Sequence, residues 1–211
     1  IAWYQNVNGD LESQQIITAT ATGARDVFAA DIDGDGDQDV LSASGYDNAI
    51  RWYENFDGQG SFDLIHLVTT NAANAYAVYA ADLDGDGDQD ILSASSTDNQ
   101  IAWYENLDGK GDFTDQIAIT KAAKGATDVV AADLDGDGDI DVASSSTFDD
   151  KIAWYENTNP PQVTLVDRDA GSDAYNALDL LAITFDHDVN LSSTALTLVD
   201  QTAGGALVDL T

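Results

Sequence analysis

The 211-residue chain carries 39 acidic residues against 7 basic ones, a formal net charge of -32, and contains no cysteine and no methionine. So strong a negative field argues against nucleic acid and anionic membrane surfaces as partners, because both are polyanions, and favours cations, basic proteins or neutral glycans. Without cysteine there is no disulfide framework or thiolate chemistry, and without an apolar run of about 18 residues no segment reads as inserting into a membrane.

The chain opens in mid-motif with IAWYQN at Ile1, which reads as the start of a piece of a longer, processed or truncated protein. The phrase returns as IRWYEN at Ile50 and as IAWYEN at Ile101 and Ile152. Between the phrases stand three copies of a nine-residue acidic loop: DIDGDGDQD over residues 31–39, DLDGDGDQD over 82–90 and DLDGDGDID over 133–141. The loops recur every 51 residues, as do Trp52, Trp103 and Trp154, and the first Asp of each loop precedes the next Trp by 21. Only Trp3 breaks the phase, standing 49 residues ahead of Trp52, because NVNGDL shortens the turn that reads NFDGQGSF after Glu54. A fixed phase of this kind means that one structural unit has been copied.

In the middle copy, alternation, β-branched and aromatic content and turn punctuation predict strands over residues 76–81, 90–95, 100–105 and 113–120. Every connection carries Gly, Asn or Asp, and no long stretch holds a helical period, so helix content is expected to be very low. Four antiparallel strands in a repeat of this length make the blade of a β-propeller. With the Trp strand counted third, a half unit, two full units and a three-strand unit precede Pro160-Pro161. That is too few for a ring of about four to eight blades. The predicted fold class is all-β: propeller-type blades in an incomplete ring over residues 1–158, a linker at 159–161, and a partial β-sandwich over 162–211 with strands at 163–166, 180–185, 195–199 and 206–210. Missing blades upstream of Ile1 are the first account of the short ring, followed by an open stack and by completion from another chain.

Alternating carboxylates resist being folded together without a cation, since two unit charges about 4 Å apart repel by roughly 4 kcal/mol at an effective dielectric near 20. Read as D-x-D-x-D-G-x-x-D, the first loop offers Asp31, Asp33 and Asp35 at positions one, three and five. Gly36 makes the tight bend, Asp37 gives its backbone carbonyl and Asp39 closes the site. The same roles fall on Asp82, Asp84, Asp86, Asp88 and Asp90, and on Asp133, Asp135, Asp137, Asp139 and Asp141. Oxygen donors on a Gly-bent loop suit calcium, whereas zinc calls for His or Cys that the loops lack, and magnesium resists dehydration. About three Ca2+ ions are expected, one per loop. An EF-hand is excluded, because its twelfth position needs a bidentate Glu and here holds Ser42, Ser93 and Ser144 inside predicted strands.

The loops and their phase resemble the FG-GAP/VCBS repeat family, which includes the propeller blades of integrin alpha subunits and many bacterial secreted proteins. The resemblance covers residues 1–157 and implies that each loop joins neighbouring strands of a blade, with calcium rigidifying the hairpin. From Pro161 the tail resembles the immunoglobulin-like domains appended to bacterial surface proteins, through Ile183-Thr184-Phe185-Asp186 and Val189.

The remaining candidates read mostly as architecture. Period two places Ile and Trp of each IAWY strand on one face and Ala and Tyr on the other, so Trp3, Trp52, Trp103 and Trp154 are expected to pack between blades rather than stack on sugars. Arg51, where the other units have Ala, reads as an exposed drifted position, with a partner contact as the alternative. The turns at residues 57–60 and 108–111 read as ordinary Gly turns ahead of a minor ion or glycan site. His66 and His187 lack a nucleophile or second His at catalytic spacing. The expected function is an extracellular or cell-surface calcium-binding scaffold for adhesion or display, with structural calcium and no enzymatic activity. Alternatives are a carbohydrate-binding module or the non-catalytic propeller of a polysaccharide-active enzyme, and a self-assembling surface or filament protein. Calcium, a glycan or protein ligand, and a second copy of the chain are the corresponding partners.

Overall fold

The computed structural model describes residues 1–158 and, of the remainder, the backbone of residues 163–168, 181–185, 198–200 and 206–208. Two compact units divide the chain, Ile1–Asn159 and Pro160–Thr211. Among the described residues there is no helix, and every strand pair is antiparallel.

The first unit begins with a short pair, β1 (Ala2–Trp3) and β4 (Gln15–Ile16), bridged by the hairpin of β2 (Asn6–Val7) and β3 (Asp10–Leu11). Asn8 and Gly9 turn that hairpin at φ 57° and 98°, the left-handed pair that a tight two-residue loop demands. A four-stranded meander follows, β5 (Ala24–Ala30), β6 (Asp39–Ser44), β7 (Ala49–Glu54) and β8 (Leu64–Thr69). Its copy is β9 (Ala75–Ala81), β10 (Asp90–Ser95), β11 (Gln100–Tyr104) and β12 (Ile117–Thr120). A three-stranded sheet, β13 (Ala126–Ala132), β14 (Asp141–Ser146) and β15 (Lys151–Tyr155), comes last. Strand β12 starts four residues later than its pattern suggests. Thr114 explains the delay: its Oγ1 takes the Glu105 amide proton at 3.0 Å, displacing a ladder carbonyl and leaving Phe113 in a lone bridge with Asn106.

Successive sheets pack face to face, with β9 laid across β5, β6 and β7, and β13 across β9, β10 and β11. The alternation of the IAWY strand sets the layers. Ile50 and Trp52 turn with Leu41 and Ala43 into the first layer, where they meet Val78, Ala102 and Tyr104 of the next sheet. Ile101 and Trp103 turn the opposite way, with Leu92 and Ala94, to meet Val129, Val142 and Tyr155. The Trp face of one sheet thus packs on the Tyr face of the next, which keeps every layer chemically alike. Trp52 is 2% exposed there, and Gly111 of the following sheet roofs it: a Cβ on Gly111 would lie 2.5 Å from the Trp52 Cζ2. On the last sheet, Ile152 and Trp154 remain exposed. Among the described residues the sheets do not close into a ring.

Two sequence positions gain a definite role. Ser42, Ser93 and Ser144 turn their hydroxyls to Tyr53, Tyr104 and Tyr155 at 3.3, 3.2 and 3.2 Å, so the twelfth loop position serves the sheet and not the loop. Arg51 departs from the expectation of an exposed drifted side chain, because its Nη1 pairs with Asp47 Oδ2 at 2.7 Å across the β6–β7 turn and is partly buried. In the second unit, β16 (Val163–Arg168) pairs with β17 (Leu181–Phe185), and β18 (Leu198–Asp200) with β19 (Ala206–Val208). Asp186, Val189 and most of the expected partial sandwich fall outside the described residues.

Candidate metal centres

Each acidic loop connects the first two strands of its sheet: β5 to β6, β9 to β10 and β13 to β14. In the middle loop Gly85 and Gly87 stand at φ 78° and 100°, conformations that side chains resist, and this paired left-handed step curls the chain back on itself. The alternating Asp side chains then cap amides inside the curl. Asp82 accepts from Gly87 at 3.0 Å, Asp84 from the Asp86 amide at 3.2 Å and Asp86 from the Asp88 amide at 2.9 Å. The first loop repeats these bonds from Gly36 to Asp31, from the Asp35 amide to Asp33 and from the Asp37 amide to Asp35.

The curl brings together Asp31, Asp33 and Asp39; Asp82, Asp84 and Asp86; and Asp133, Asp135 and Asp141, each set offering oxygens within 4.8 Å of one another. Asp35, Asp90 and Asp137 belong to the same loops but not to these triads. The carboxylates of Asp37 and Asp88 lie against Gly58 and Gly109 of the following turn, where a Cβ would collide with them. Asp139 occupies the same loop position in the third repeat.

All donors are oxygen, which fits a hard cation and not zinc. Asp31 Oδ1 is buried without a hydrogen-bond partner, a position that a cation in the first loop would satisfy. Burial first, then the charges of Asp35, Glu54 and Asp31, hold Asp33 above the usual carboxylate range. Asp84 is raised in the same way, by burial and then by Asp86, Glu105 and Asp82. Burial lifts Asp39 and Asp90 to about 6, against the amide hydrogen bonds that favour their ionised forms. In the first two loops carboxylates are thus crowded together where solvent is partly excluded, a strain that a divalent cation would relieve.

The ninth Asp of each loop has a second task. Asp39, buried, accepts the Ile32 amide on Oδ2 at 3.1 Å and the Asn55 amide on Oδ1 at 2.8 Å. Asp90 does the same with Leu83 and Asn106 at 3.0 and 2.8 Å, and Asp141 with Leu134 and Asn157 at 3.0 and 2.8 Å. Loop and Trp strand are therefore clasped in every copy. Asn55, Asn106 and Asn157 were not singled out by the sequence, although each follows its clasping Asp by 16 residues and closes the WYEN phrase.

The other candidates take places in the framework. His66 stacks on Trp52 with ring centroids 4.0 Å apart and has Nε2 3.0 Å from Glu54 Oε2; His187 lies outside the described residues. Asp57 caps its own turn, accepting from Ser61 Oγ at 2.7 Å and the Gln59 amide at 2.9 Å, bonds that hold its carboxyl below the usual range.

The family profile described as the FG-GAP-like repeat matches three times, over residues 1–42, 31–93 and 82–144. No curated protein sequence matches the chain. Among solved structures, the biofilm matrix protein Bap1 of V. cholerae aligns over 96% of this chain at 22% identity with a TM-score of 0.37. The chain spans 29% of that protein's solved chain, and at that score the likeness bears on neither fold nor function.

Proposed function

We propose that this chain, which belongs to the FG-GAP-like repeat family, is a calcium-stabilised extracellular scaffold that serves adhesion or display within a larger secreted or surface protein, without catalytic activity of its own. The recurrence of a three-carboxylate cluster on the same hairpin of three successive sheets supports this role, the third member coming from the fifth loop position in the middle copy and from the ninth in the others. Face-to-face packing of four-stranded meanders, first strand over first strand, favours regarding the sheets as propeller-type blades. Extracellular calcium modules have dissociation constants of about 0.1 to 1 mM, and at tenfold excess each site would add roughly 1.4 kcal/mol, or about 4 kcal/mol for three independent sites. Calcium then stiffens the hairpins and leaves the binding surface to other residues. The experiment is a thermal melt of the chelator-stripped chain with and without calcium, alongside the variant Asp33→Asn/Asp84→Asn/Asp135→Asn. A calcium-dependent rise that the triple variant lacks is expected; an equal rise in both proteins would reject the loops as its source.

One observation favours a glycan-binding role as the second reading. Tyr46 and Phe148 occupy the same repeat position, in the hairpin turns at the end of the sheets opposite the acidic loops, and both are 77% exposed. Flat exposed rings can stack on sugars. A glycan array in calcium buffer tests this: a specific saccharide signal abolished by Tyr46→Ala/Phe148→Ala favours the second reading, and a blank array disfavours it.

A further inference from the structure

A continuous hydrogen-bonded path crosses the three loops. Ile32 lies between the clustered carboxylates Asp31 and Asp33; its amide donates to Asp39, and its carbonyl accepts Asn106 Nδ2 of the next repeat at 2.9 Å. Asn106 is fully buried and uses every donor it has: its amide holds Asp90 at 2.8 Å, and its second Nδ2 proton goes to the Gln89 carbonyl at 3.2 Å. Its Oδ1 accepts the Gly111 amide at 3.0 Å. Asp90 in turn takes the Leu83 amide, and the Leu83 carbonyl accepts Asn157 Nδ2 of the following repeat at 2.7 Å. Asn157 holds Asp141, which takes the Leu134 amide. Both inter-repeat bonds span 74 residues, so they are one device used twice.

We infer that Asn106 and Asn157 couple the loops, so that a cation bound in one raises the affinity of its neighbour. The effect presupposes the calcium binding proposed above. A cation held by Asp31 and Asp33 fixes the residue between them, and with it the carbonyl that anchors Asn106. Asn106 then presents Asp90 already oriented, and Asp90 holds the Leu83 amide between the clustered Asp82 and Asp84, so ordering entropy incurred at the first loop need not be incurred again at the second. Electrostatics acts with the opposite sign, because neutralising one loop weakens the negative potential that draws a cation to the next. Positive cooperativity therefore cannot arise from charge and points to the asparagine path.

The test is a calorimetric calcium titration of the full, chelator-stripped chain. Wild-type stepwise constants, corrected for the statistical factors of three sites, should rise, by roughly fivefold or more between coupled loops. Asn106→Ala, which changes no charge, should abolish the coupling of the first and second loops and leave that of the second and third. Flat or falling wild-type constants would overturn the inference while leaving calcium binding intact, and no binding at about 10 mM would overturn both. Should Asn106→Ala fail to fold, Asp84→Asn/Asp86→Asn removes the middle site by changes in the loop alone. At about 0.5 M salt, where screening reaches within roughly 4 Å, affinity at the outer loops should fall by a similar factor. Unchanged outer affinities would overturn the coupling.

Discussion

Asn106 joins two repeats with a side chain that has no contact with water, and its removal should be felt far beyond one amide. Asn106→Ala strands the Ile32 and Gln89 carbonyls and the Gly111 amide, and should cost about 3 kcal/mol in urea unfolding at saturating calcium. Asn157→Ala should cost less, because its bonds are only partly buried. Equal, near-zero effects would contradict the clasp. Glycine offers a second comparison. Gly111→Ala meets both a left-handed backbone and the Trp52 ring, whereas Gly9→Ala meets a left-handed backbone with nothing within 4 Å. Thermal melts should place Gly111→Ala well below Gly9→Ala, which should lose only about 1–2 kcal/mol. These asparagines were visible in sequence as the end of a repeated phrase, but their partners were not: a carbonyl 74 residues away is adjacent only after two sheets have stacked.

At the scale of the element, the acidic loop is a hairpin connection whose charge works against folding unless a cation is present. Period-two spacing made all fifteen Asp residues candidates, yet which oxygens converge depends on the curl at the paired glycines, which spacing does not encode. The strands were legible because alternation survives in every copy, and β12 began late because a Thr side chain competed for a ladder amide. The loops also predict a pH effect. Asp39 and Asp90 stand at about 6 in the folded chain without metal, above the unfolded value of about 3.9. The folded state then binds more protons than the unfolded one across that window, so these groups make the calcium-free chain lose stability as pH rises from about 4 to about 6. Calcium favours the ionised carboxylates and reverses the trend. Melting followed by circular dichroism should show the gap between calcium-loaded and chelated protein widening from about pH 4.5 to 7; a constant gap would count against the buried carboxylates as ligands.

At the largest scale, stacked sheets that present a Trp face on one side and a Tyr face on the other build the first unit without disulfides, in a chain whose net charge is -32. Self-repulsion of that size should make the chelated protein gain several degrees in melting temperature as salt rises from about 0.05 to 0.5 M, whereas the calcium-loaded form should gain less. Equal gains would place the repulsion away from the loops. Repeat number and sheet order were legible from the 51-residue phase, and so was the shortage of sheets for a ring, because a copied unit can be counted before it is folded. The pairing of unlike faces was legible only in part, since alternation assigns residues to faces but not faces to neighbours. The central claim is that each acidic loop is a calcium site supporting this framework. Equilibrium dialysis with radiolabelled calcium tests it most directly: about three ions per chain are expected, falling by one for each of Asp33→Asn, Asp84→Asn and Asp135→Asn, and a chain that retains no calcium at about 10 mM would contradict it.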